Sequence, residues 1–429
     1  MSDVKTAKVG VGRGIISPVK MAQLWGYPVI RDTEVIHDDL QATAFAFEYD
    51  GVRSLLVNLT IIFLMNDEFE ILRDLISRET GVPYENIIID CTHTHSSPAT
   101  DSDIKDNEYI QTVLRPGAVK AAKEALANMQ EALMGVATVE SHVGLNRREV
   151  TLKGTIGLGQ NPWGTFDPTM TVISFVTLDK KPIANLVHYG THCTAAGNNY
   201  EVTRDWSSVM IDRMEAQTGA MTAFINGPIG DTGPRLADGS TAATLELAME
   251  LGGAAALDAM TAYKTIKDYR PIDMKVTMQE VKLPYKPQMS YEDAVAEYAT
   301  HTEEEKNDYY GRCYHLRKVM AEYEAGHPVE TELTINETII SVGPIAFVPF
   351  PFEMFTEMTL RLRKFSPYQH TLSLSIGNGY YSYLPSQDQI CRGGYEVAMF
   401  RDFNPYQLED KTDTNLVIQL VDILKEMAE

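Results

Sequence analysis

Two histidines placed two residues apart, His93 and His95, are the first residues in this chain whose spacing suggests chemistry. They follow Ile87-Ile88-Ile89, an apolar β-branched run typical of a buried strand. The expected strand ends directly after them, at Ser96-Ser97-Pro98. Alternation along a strand would direct both imidazoles to one side, and neutral imidazole suits a metal such as zinc. Two surface histidines at a strand end explain this spacing equally well.

Further along the chain, other potential metal ligands follow apolar strands. His192 lies in a turn after the strand that contains His188, and Glu353 follows another apolar strand, where we expect it to open a helix. Tyr383 and Tyr395 lie in two tyrosine-rich stretches, and a phenol can bind a metal or donate to an oxyanion. Each residue taken alone also has a structural explanation, such as a packed tyrosine or a glutamate at a helix start.

The composition describes an acidic protein of 429 residues, whose 44% hydrophobic content is enough for a large core. A net charge of −22, from 59 acidic and 37 basic residues, disfavours binding to nucleic acid or anionic membranes. The N-terminal residues lack the apolar segment of a secretion signal, and no apolar run reaches the length of a membrane span. We therefore expect a cytoplasmic protein without a membrane span.

Strand-like and helical segments alternate along the chain, and some strand pairs are joined by short turns such as Asp50-Gly51. This pattern predicts an α/β fold with a mixed sheet flanked by helices. Residues 290–326 are charged and helical, and we expect them to be an insertion within a single domain covering residues 1–429. The alternating glycines of Val9–Ile16 indicate a strand with close backbone approach rather than a phosphate-binding loop.

Several ordered motifs together resemble one family, the neutral/alkaline (non-lysosomal) ceramidases and their short bacterial relatives. The resemblance runs from about Lys8 to about Asp402 and covers the catalytic domain of that family. The matching stretches are VGVGRGIISP from Val9, Trp25-Gly26-Tyr27, His37-Asp38-Asp39-Leu40, THTHS from Thr92, HCTAAGNNYEVTRDW from His192, GDTGPR from Gly230, NGYYSYLP from Asn378 and GGYE from Gly393.

This resemblance implies an α/β ceramidase-like catalytic domain that binds one zinc ion and hydrolyses an amide. Carried over position by position, the implied zinc ligands are His93, His192, Glu353 and Tyr383. The implied catalytic residues are His95 and Tyr395, and Arg147 corresponds to an arginine on the substrate side. His188 precedes the matched position, and we interpret it as a core histidine or one that supports a ligand.

The chain also departs from the family. Ceramidases carry a serine in the glycine-aspartate loop where this chain has Gly233, and the glycines after THTHS are replaced by Ser97-Pro98-Ala99. The chain ends near the last motif, so we expect neither the immunoglobulin-like domain nor the secretion signal of the extracellular enzymes. From these differences we expect a substrate smaller and more polar than ceramide.

The sequence therefore predicts a zinc-dependent amidohydrolase that cleaves the C–N bond of a small or moderately sized acyl amide by metal-hydroxide attack. A zinc esterase or lactonase remains an alternative, because the same hydroxide attacks either acyl group. A catalytically inactive binding protein that keeps the fold is a third possibility. The expected partner is a small-molecule amide without nucleic acid, and a homo-oligomer remains open.

Overall fold

Two β-sheets lie face to face in the centre of the molecule. The computed structural model describes residues 5–29, 31–100, 107–307 and 311–429. The strands are β1 (Lys8–Ile15), β2 (Ala22–Leu24), β3 (Arg31–Thr33), β4 (Gln41–Tyr49), β5 (Val52–Leu59), β6 (Ile87–Cys91), β7 (Gln130–Glu140), β8 (Gly144–Asn146), β9 (Arg148–Val150), β10 (Ile156–Leu158), β11 (Thr169–Thr177), β12 (Pro182–Tyr189), β13 (Met221–Asn226), β14 (Thr232–Pro234), β15 (Arg270–Pro271), β16 (Met274–Pro284), β17 (Glu332–Val342), β18 (Ile345–Phe350), β19 (Glu353–Met354), β20 (His370–Ser375) and β21 (Tyr383–Leu384).

Helices cover the outer sides of these sheets. They are α1 (Asn66–Thr80), α2 (Arg115–Ala127), α3 (Ser207–Thr218), α4 (Leu245–Thr265), α5 (Tyr291–Ala299), α6 (Glu303–Lys306), α7 (Arg312–Glu324), α8 (Thr356–Phe365), α9 (Gln387–Ile390), α10 (Tyr395–Asp402) and α11 (Thr412–Ala428). Within the described residues, each of these helices lacks the combination of length and apolar character that crossing a membrane requires.

The larger sheet has the strand order β13-β12-β11-β7-β1-β4-β5-β6, with β15 paired to β7. Most neighbours are antiparallel, but the outermost pairs, β12–β13 and β5–β6, are parallel. Helices α3 and α1 make the crossovers of these two pairs. The sheet curves so that its two edges meet. At this junction the Asn226 side-chain amide, at the end of β13, donates to the carbonyl of Thr92, just past β6.

The smaller sheet, β16-β17-β18-β20, packs on the inner face of the larger sheet. Their shared core joins Phe45 and Phe175 of the larger sheet to Phe347 and Leu374 of the smaller one. Helices α1 to α4 cover the outer face of the larger sheet, and α8 and α11 cover the smaller sheet. The predicted α/β fold with a mixed sheet flanked by helices is confirmed, and the structure adds the second sheet.

The alternating glycines of β1 have the role that their pattern predicts. Val9 and Val11 point into the core between the sheets, whereas Gly10, Gly12 and Gly14 point at α2. A Cβ atom on any of these glycines would overlap a backbone carbonyl of α2. Helix α2 therefore rests directly on the strand backbone, and the prediction of close approach is confirmed.

The prediction that Glu353 opens a helix is wrong. Glu353 lies in β19, and α8 begins only at Thr356. The reason is a long-range pairing, because Glu353 sits opposite Tyr383 in a two-stranded parallel ladder with β21. This pairing brings two predicted zinc ligands side by side.

The segment between β16 and β17 contains helices α5, α6 and α7. Buried Ala294, Leu316 and Val319 give α5 and α7 a small core of their own. The helical character predicted for residues 290–326 is confirmed over the described part of that segment. The domain limits stay a prediction.

Candidate metal centre

Both histidines of the first pair lie beyond the end of the strand that precedes them. Strand β6 ends at Cys91, and His93 has a left-handed backbone with φ of 63°. The prediction that strand alternation aligns His93 and His95 is therefore wrong. The two rings meet instead through a turn, at a centroid distance of 4.8 Å and an interplanar angle of 90°.

This turn is hydrogen-bonded to the second histidine turn. Thr94 forms a β-bridge with Cys193, and the backbone N–H of His95 donates to the Cys193 carbonyl at 3.1 Å. The two turns follow β6 and β12, which lie near opposite edges of the same curved sheet. Curvature of the sheet thus brings together histidines that are far apart in sequence.

Three imidazoles converge at this junction. One ring nitrogen from each of His93, His95 and His192 lies within 4.8 Å of the other two. The Nε2 atoms of His93 and His95 are 3.3 Å apart, and the His93 and His192 ring centroids are 4.8 Å apart. The structure therefore brings together the three histidines that the sequence predicts.

Backbone carbonyls set the tautomers of two of these rings. The Nδ1 atom of His93 lies 2.8 Å from the Ile62 carbonyl, and that of His192 lies 3.1 Å from the Thr232 carbonyl. A carbonyl only accepts, so each Nδ1 carries the proton and each Nε2 presents a lone pair. Such second contacts are how proteins orient histidine ligands around a metal.

Both lone pairs point toward the same carboxylate oxygen. The Oε2 atom of Glu353 lies 3.0 Å from His192 Nε2 and 3.5 Å from His93 Nε2. Glu353 Oε2 and His192 Nε2 are buried and have no hydrogen-bond partner among the described residues. Buried acceptors that face one another at these distances are unfavourable unless a cation lies between them. The residues present therefore fit a metal ion.

The protonation states also fit a metal. Burial lowers the pKa of His192 to about 3, and nearby Arg147 adds to this effect, so the ring is neutral at pH 7. Burial alone would raise the pKa of Glu353, and protonated His93 and His192 would hold it well below its usual range; with neutral rings, a cation between these side chains would have that effect instead. A neutral imidazole and an ionised carboxylate are the forms that bind a metal.

Two tyrosines complete the buried side of the centre. The Tyr380 hydroxyl donates to the second oxygen of Glu353, Oε1, at 2.9 Å. The Tyr383 hydroxyl accepts a hydrogen bond of 2.9 Å from the Arg147 guanidinium. Burial raises the pKa of Tyr383 well above its ordinary value, while the charge of Arg147 opposes that rise. The charge of Arg147 thus favours the ionised form of the Tyr383 oxygen, which is the form that binds a metal.

Arg147 is itself held by a buried carboxylate. Its Nε donates to Glu396 at 3.1 Å, and neighbouring Arg148 donates to the other Glu396 oxygen at 2.5 Å. All three side chains are more than nine-tenths buried. The structure therefore places Arg147 against Tyr383 and Glu396, and its contact with substrate stays a prediction.

The two predicted catalytic residues lie on the more open side of the centre. Tyr395 begins α10 and is 41% exposed, with its ring 5.6 Å from that of Tyr383 in an edge-on arrangement. His95 is partly exposed. Burial and the two neighbouring histidines lower the pKa of His95 well below its ordinary value, which keeps it neutral.

His188 takes no part in this cluster. Its Nε2 lies 2.8 Å from the Ser373 carbonyl, and burial lowers its pKa to about 4. Its interpretation as a core histidine agrees with these contacts.

The glycine-aspartate loop supports the centre from behind. The Asp231 carboxylate accepts 2.8 Å bonds from both the backbone N–H and the hydroxyl of Thr356, at the start of α8. The Thr232 hydroxyl lies 3.2 Å from the Thr356 hydroxyl, while the Thr232 carbonyl accepts from His192. The loop thus ties a predicted ligand to the helix that follows Glu353.

Sequence reasoning did not assign Tyr380 or Glu396, although both lie inside motifs that the sequence singled out. Only their contacts distinguish them, because Tyr380 donates to the predicted ligand Glu353 and Glu396 pairs with Arg147. The backbone carbonyls of Ile62 and Thr232 leave no signal in a sequence. A buried glutamate beside two arginines is a pattern that charge spacing alone does not reveal.

Comparison with known proteins shows the family to which the chain belongs. The model of the family described as neutral/alkaline non-lysosomal ceramidase, N-terminal, matches residues 8–248, more than half of the chain. The chain belongs to this ceramidase family. Neutral ceramidase A of Dictyostelium discoideum is 26% identical over 223 residues, which cover 48% of this chain and 31% of that protein. The chain thus aligns with about a third of its curated relative.

Solved ceramidase structures share the fold. The neutral ceramidase from Pseudomonas aeruginosa superposes with a TM-score of 0.74 at 17% identity, over 99% of this chain and 74% of that one. A second structure, a ceramidase complexed with C2, gives a TM-score of 0.72 at 17% identity, over 98% of this chain and 75% of that one. The ceramidase fold therefore extends beyond the part that the family model matches.

Proposed function

We propose that this ceramidase-family chain is a zinc-dependent hydrolase that cleaves the C–N bond of an acyl amide. One observation carries the proposal: lone pairs of His93 and His192 face a carboxylate oxygen of Glu353 in a buried space. Together with Tyr383, these residues would hold the ion. Nitrogen and oxygen ligands of this kind suit zinc.

Zinc held by such ligands supplies Lewis-acid activation of water and of the acyl carbonyl near neutral pH. The protein's own contribution lies with His95 and Tyr395. Because His95 is neutral and partly exposed, it is suited to donate a hydrogen bond to the developing oxyanion. The Tyr395 hydroxyl, on the open side, is suited to pass a proton to the leaving amine.

The contacts of Thr232 support direct attack by water rather than a covalent route. Its hydroxyl is fully buried, and within the described chain its hydrogen bonds go to Thr356 and Asp231. His192 approaches the carbonyl of Thr232 and not its hydroxyl. The neighbouring Gly233 carries no nucleophilic atom.

We further propose that the substrate is a small or moderately sized acyl amide other than long-chain ceramide. Gly233 supports this, because a Cβ atom there would lie 3.1 Å from Thr241 and 3.3 Å from Arg147. The position that bears a serine in ceramidases is thus packed against neighbouring side chains. The cytoplasmic location, the lack of a nucleic-acid partner and any homo-oligomer stay predictions.

A single catalytic domain covering the chain is also part of this proposal. The shared core between the sheets joins Val9, near the start, to Leu374, beyond the helical insertion. One continuous core of this kind is what a single folding unit requires.

The test is metal analysis of the purified protein, followed by turnover assays on matched amide and ester substrates of increasing acyl length. We expect about one zinc per chain and faster turnover of amides than of esters. Faster turnover of esters would identify an esterase instead. A zinc-loaded protein inactive on the whole panel would favour a binding protein, and ceramide turnover matching that of a short amide would contradict the substrate proposal.

A further inference from the structure

A short loop before β3 packs against the imidazole of His95. Gly26, in the Trp25-Gly26-Tyr27 motif, has a left-handed backbone with φ of 105°. A Cβ atom on Gly26 would lie only 2.5 Å from Cγ of His95, and closer still to its Nδ1. Glycine is therefore required here twice, for the backbone conformation and for space beside the ring.

Tyr27 holds the same imidazole from another direction. Its ring meets that of His95 edge-on at 5.1 Å with an interplanar angle of 62°. The Tyr27 hydroxyl donates to the carbonyl of Thr194 in the second histidine turn at 3.3 Å. The loop thus joins the His95 ring to the turn that carries His192.

Arg31 fixes this loop in place. The residue is fully buried, and its guanidinium donates to the carbonyls of His95 at 2.7 Å and Trp25 at 2.8 Å. It also donates to the Asn199 carbonyl at 3.0 Å and lies 4.9 Å from the centre of the Tyr27 ring. One buried cation therefore connects the loop, the backbone of His95 and the segment that follows the second histidine turn.

We propose that Gly26, Tyr27 and Arg31 are positioning residues that set the orientation of the His95 imidazole toward the reacting atoms. The side chains of His93, His192 and Glu353 are oriented by backbone carbonyls and Tyr380, whereas the loop packs against the ring of His95. The expected effect on catalysis rests on the proposed amidase function. The packing of the loop against the His95 ring does not depend on it.

Gly26→Ala is the sharpest variant, because its Cβ forces the His95 ring to move. We expect kcat to fall about 10²-fold, as for a displacement of roughly 1 Å, with little change in KM and full zinc content. Gly51→Ala is the matched control. Gly51 also has a positive φ, of 80°, but within the described part of the molecule nothing lies within 4 Å of its Cβ position.

A double-mutant cycle with His95→Ala separates positioning from general strain. Removal of the imidazole takes away the two atoms nearest the new Cβ, at 2.4 and 2.5 Å, and leaves only the alanine Cβ at 2.9 Å, so Gly26→Ala should cause little further loss of activity in that background. The melting temperatures of the same four proteins give a second measurement of the cycle. Gly26→Ala should lower the melting temperature more than Gly51→Ala does in the normal background, and most of this excess should disappear when His95 is alanine.

The outcomes distinguish the two proposals. If no amide is turned over, the melting-temperature cycle still reports whether Gly26 packs on His95. Coupling in melting temperature without loss of kcat would overturn the positioning role and leave the amidase proposal intact. If Gly26→Ala does not fold, the double variant should fold, and failure of both would contradict the inference. Loss of zinc from Gly26→Ala would also overturn it, because His95 would then be a ligand.

Conservative rescue gives an independent readout. Tyr27→Phe keeps the ring contact with His95, whereas Tyr27→Ala removes it. We expect the alanine variant to lose about tenfold more kcat than the phenylalanine variant, at equal zinc content. Equal losses in the two variants would show that the ring contact does not orient His95.

Discussion

The two sides of the metal centre are built differently. On the buried side, His93, His192 and Glu353 are at most 2% exposed; the Nδ1 atom of each histidine donates to a backbone carbonyl, and the second oxygen of Glu353 accepts from Tyr380. On the open side, His95 is partly exposed and Tyr395 is 41% exposed, and His95 is held mainly by side-chain packing.

This difference separates binding from reactivity. Ligands fixed by backbone carbonyls tolerate little movement, so changes there should alter metal affinity first. Groups on the open side contact substrate as charge develops, so changes there should alter rate while the metal stays bound. Each variant below tests whether the two sides behave in this way, beginning with the largest expected effect.

His192→Ala should remove the metal and abolish detectable activity. The imidazole supplies one of the lone pairs that face Glu353, and its loss also leaves the Thr232 carbonyl with only the longer 3.4 Å bond from the backbone N–H of residue 192. Zinc content by elemental analysis is the measurement, with His142→Ala, an exposed histidine, as the control. Full zinc in the His192 variant would mean that another histidine is the ligand, and His95 would be tested first because it lies in the same cluster.

His95→Ala and Tyr395→Phe should each lower kcat by roughly 10²–10³-fold, as loss of one oxyanion donor does. Zinc content should stay complete, and KM should change less than kcat. Thr232→Ala, which alters a buried hydroxyl next to the centre, serves as the control and should keep most activity. An acyl-enzyme trapped on Thr232, or a burst of amine release before slow turnover, would contradict direct attack by water.

Glu396→Gln should have an intermediate effect, because Glu396 links the two sides through Arg147. Removing its charge leaves two buried arginines without a counter-ion, which costs on the order of 3 kcal/mol of unfolding free energy. We expect kcat to fall about tenfold as Tyr383 loses its fixed partner. Glu357→Gln, in a partly exposed pair with Arg361, should cost less than about 1 kcal/mol in the same denaturant titration.

Asp90→Asn should change only the pH dependence of stability. Burial raises the pKa of Asp90 to about 7, while an unfolded aspartate titrates near pH 4. The folded state therefore binds the extra proton between these values, and its contribution to stability is lost as pH rises through about 7.

An asparagine keeps the hydrogen bond from Asn58 without a charge, so the variant should gain stability relative to the parent at pH 8 but not at pH 4. Melting temperatures measured at both pH values test this. Asp422→Asn, at an exposed position, should show no such difference between them. An unchanged pH dependence in Asp90→Asn would mean that Asp90 does not carry this proton.

The sequence predicted the family, the fold class and the residues that gather at the centre. These were accessible because His93, His192 and Tyr383 lie in motifs of fixed order. The backbone of His93 and the β19–β21 ladder were not accessible, because both depend on pairing with distant segments. For the same reason Glu353 was predicted in a helix, since its local sequence does not reveal its partner.

The curvature that joins β6 to β13 has a consequence for the order of folding. Residues of the centre extend from His93 to Glu396, so closing it requires contacts across most of the chain. Long-range closure of this kind is slow, and we expect the ion to enter a molecule whose sheets have already formed. Zinc would then bind after folding and raise the apparent stability of the folded state by mass action. It would not nucleate the fold.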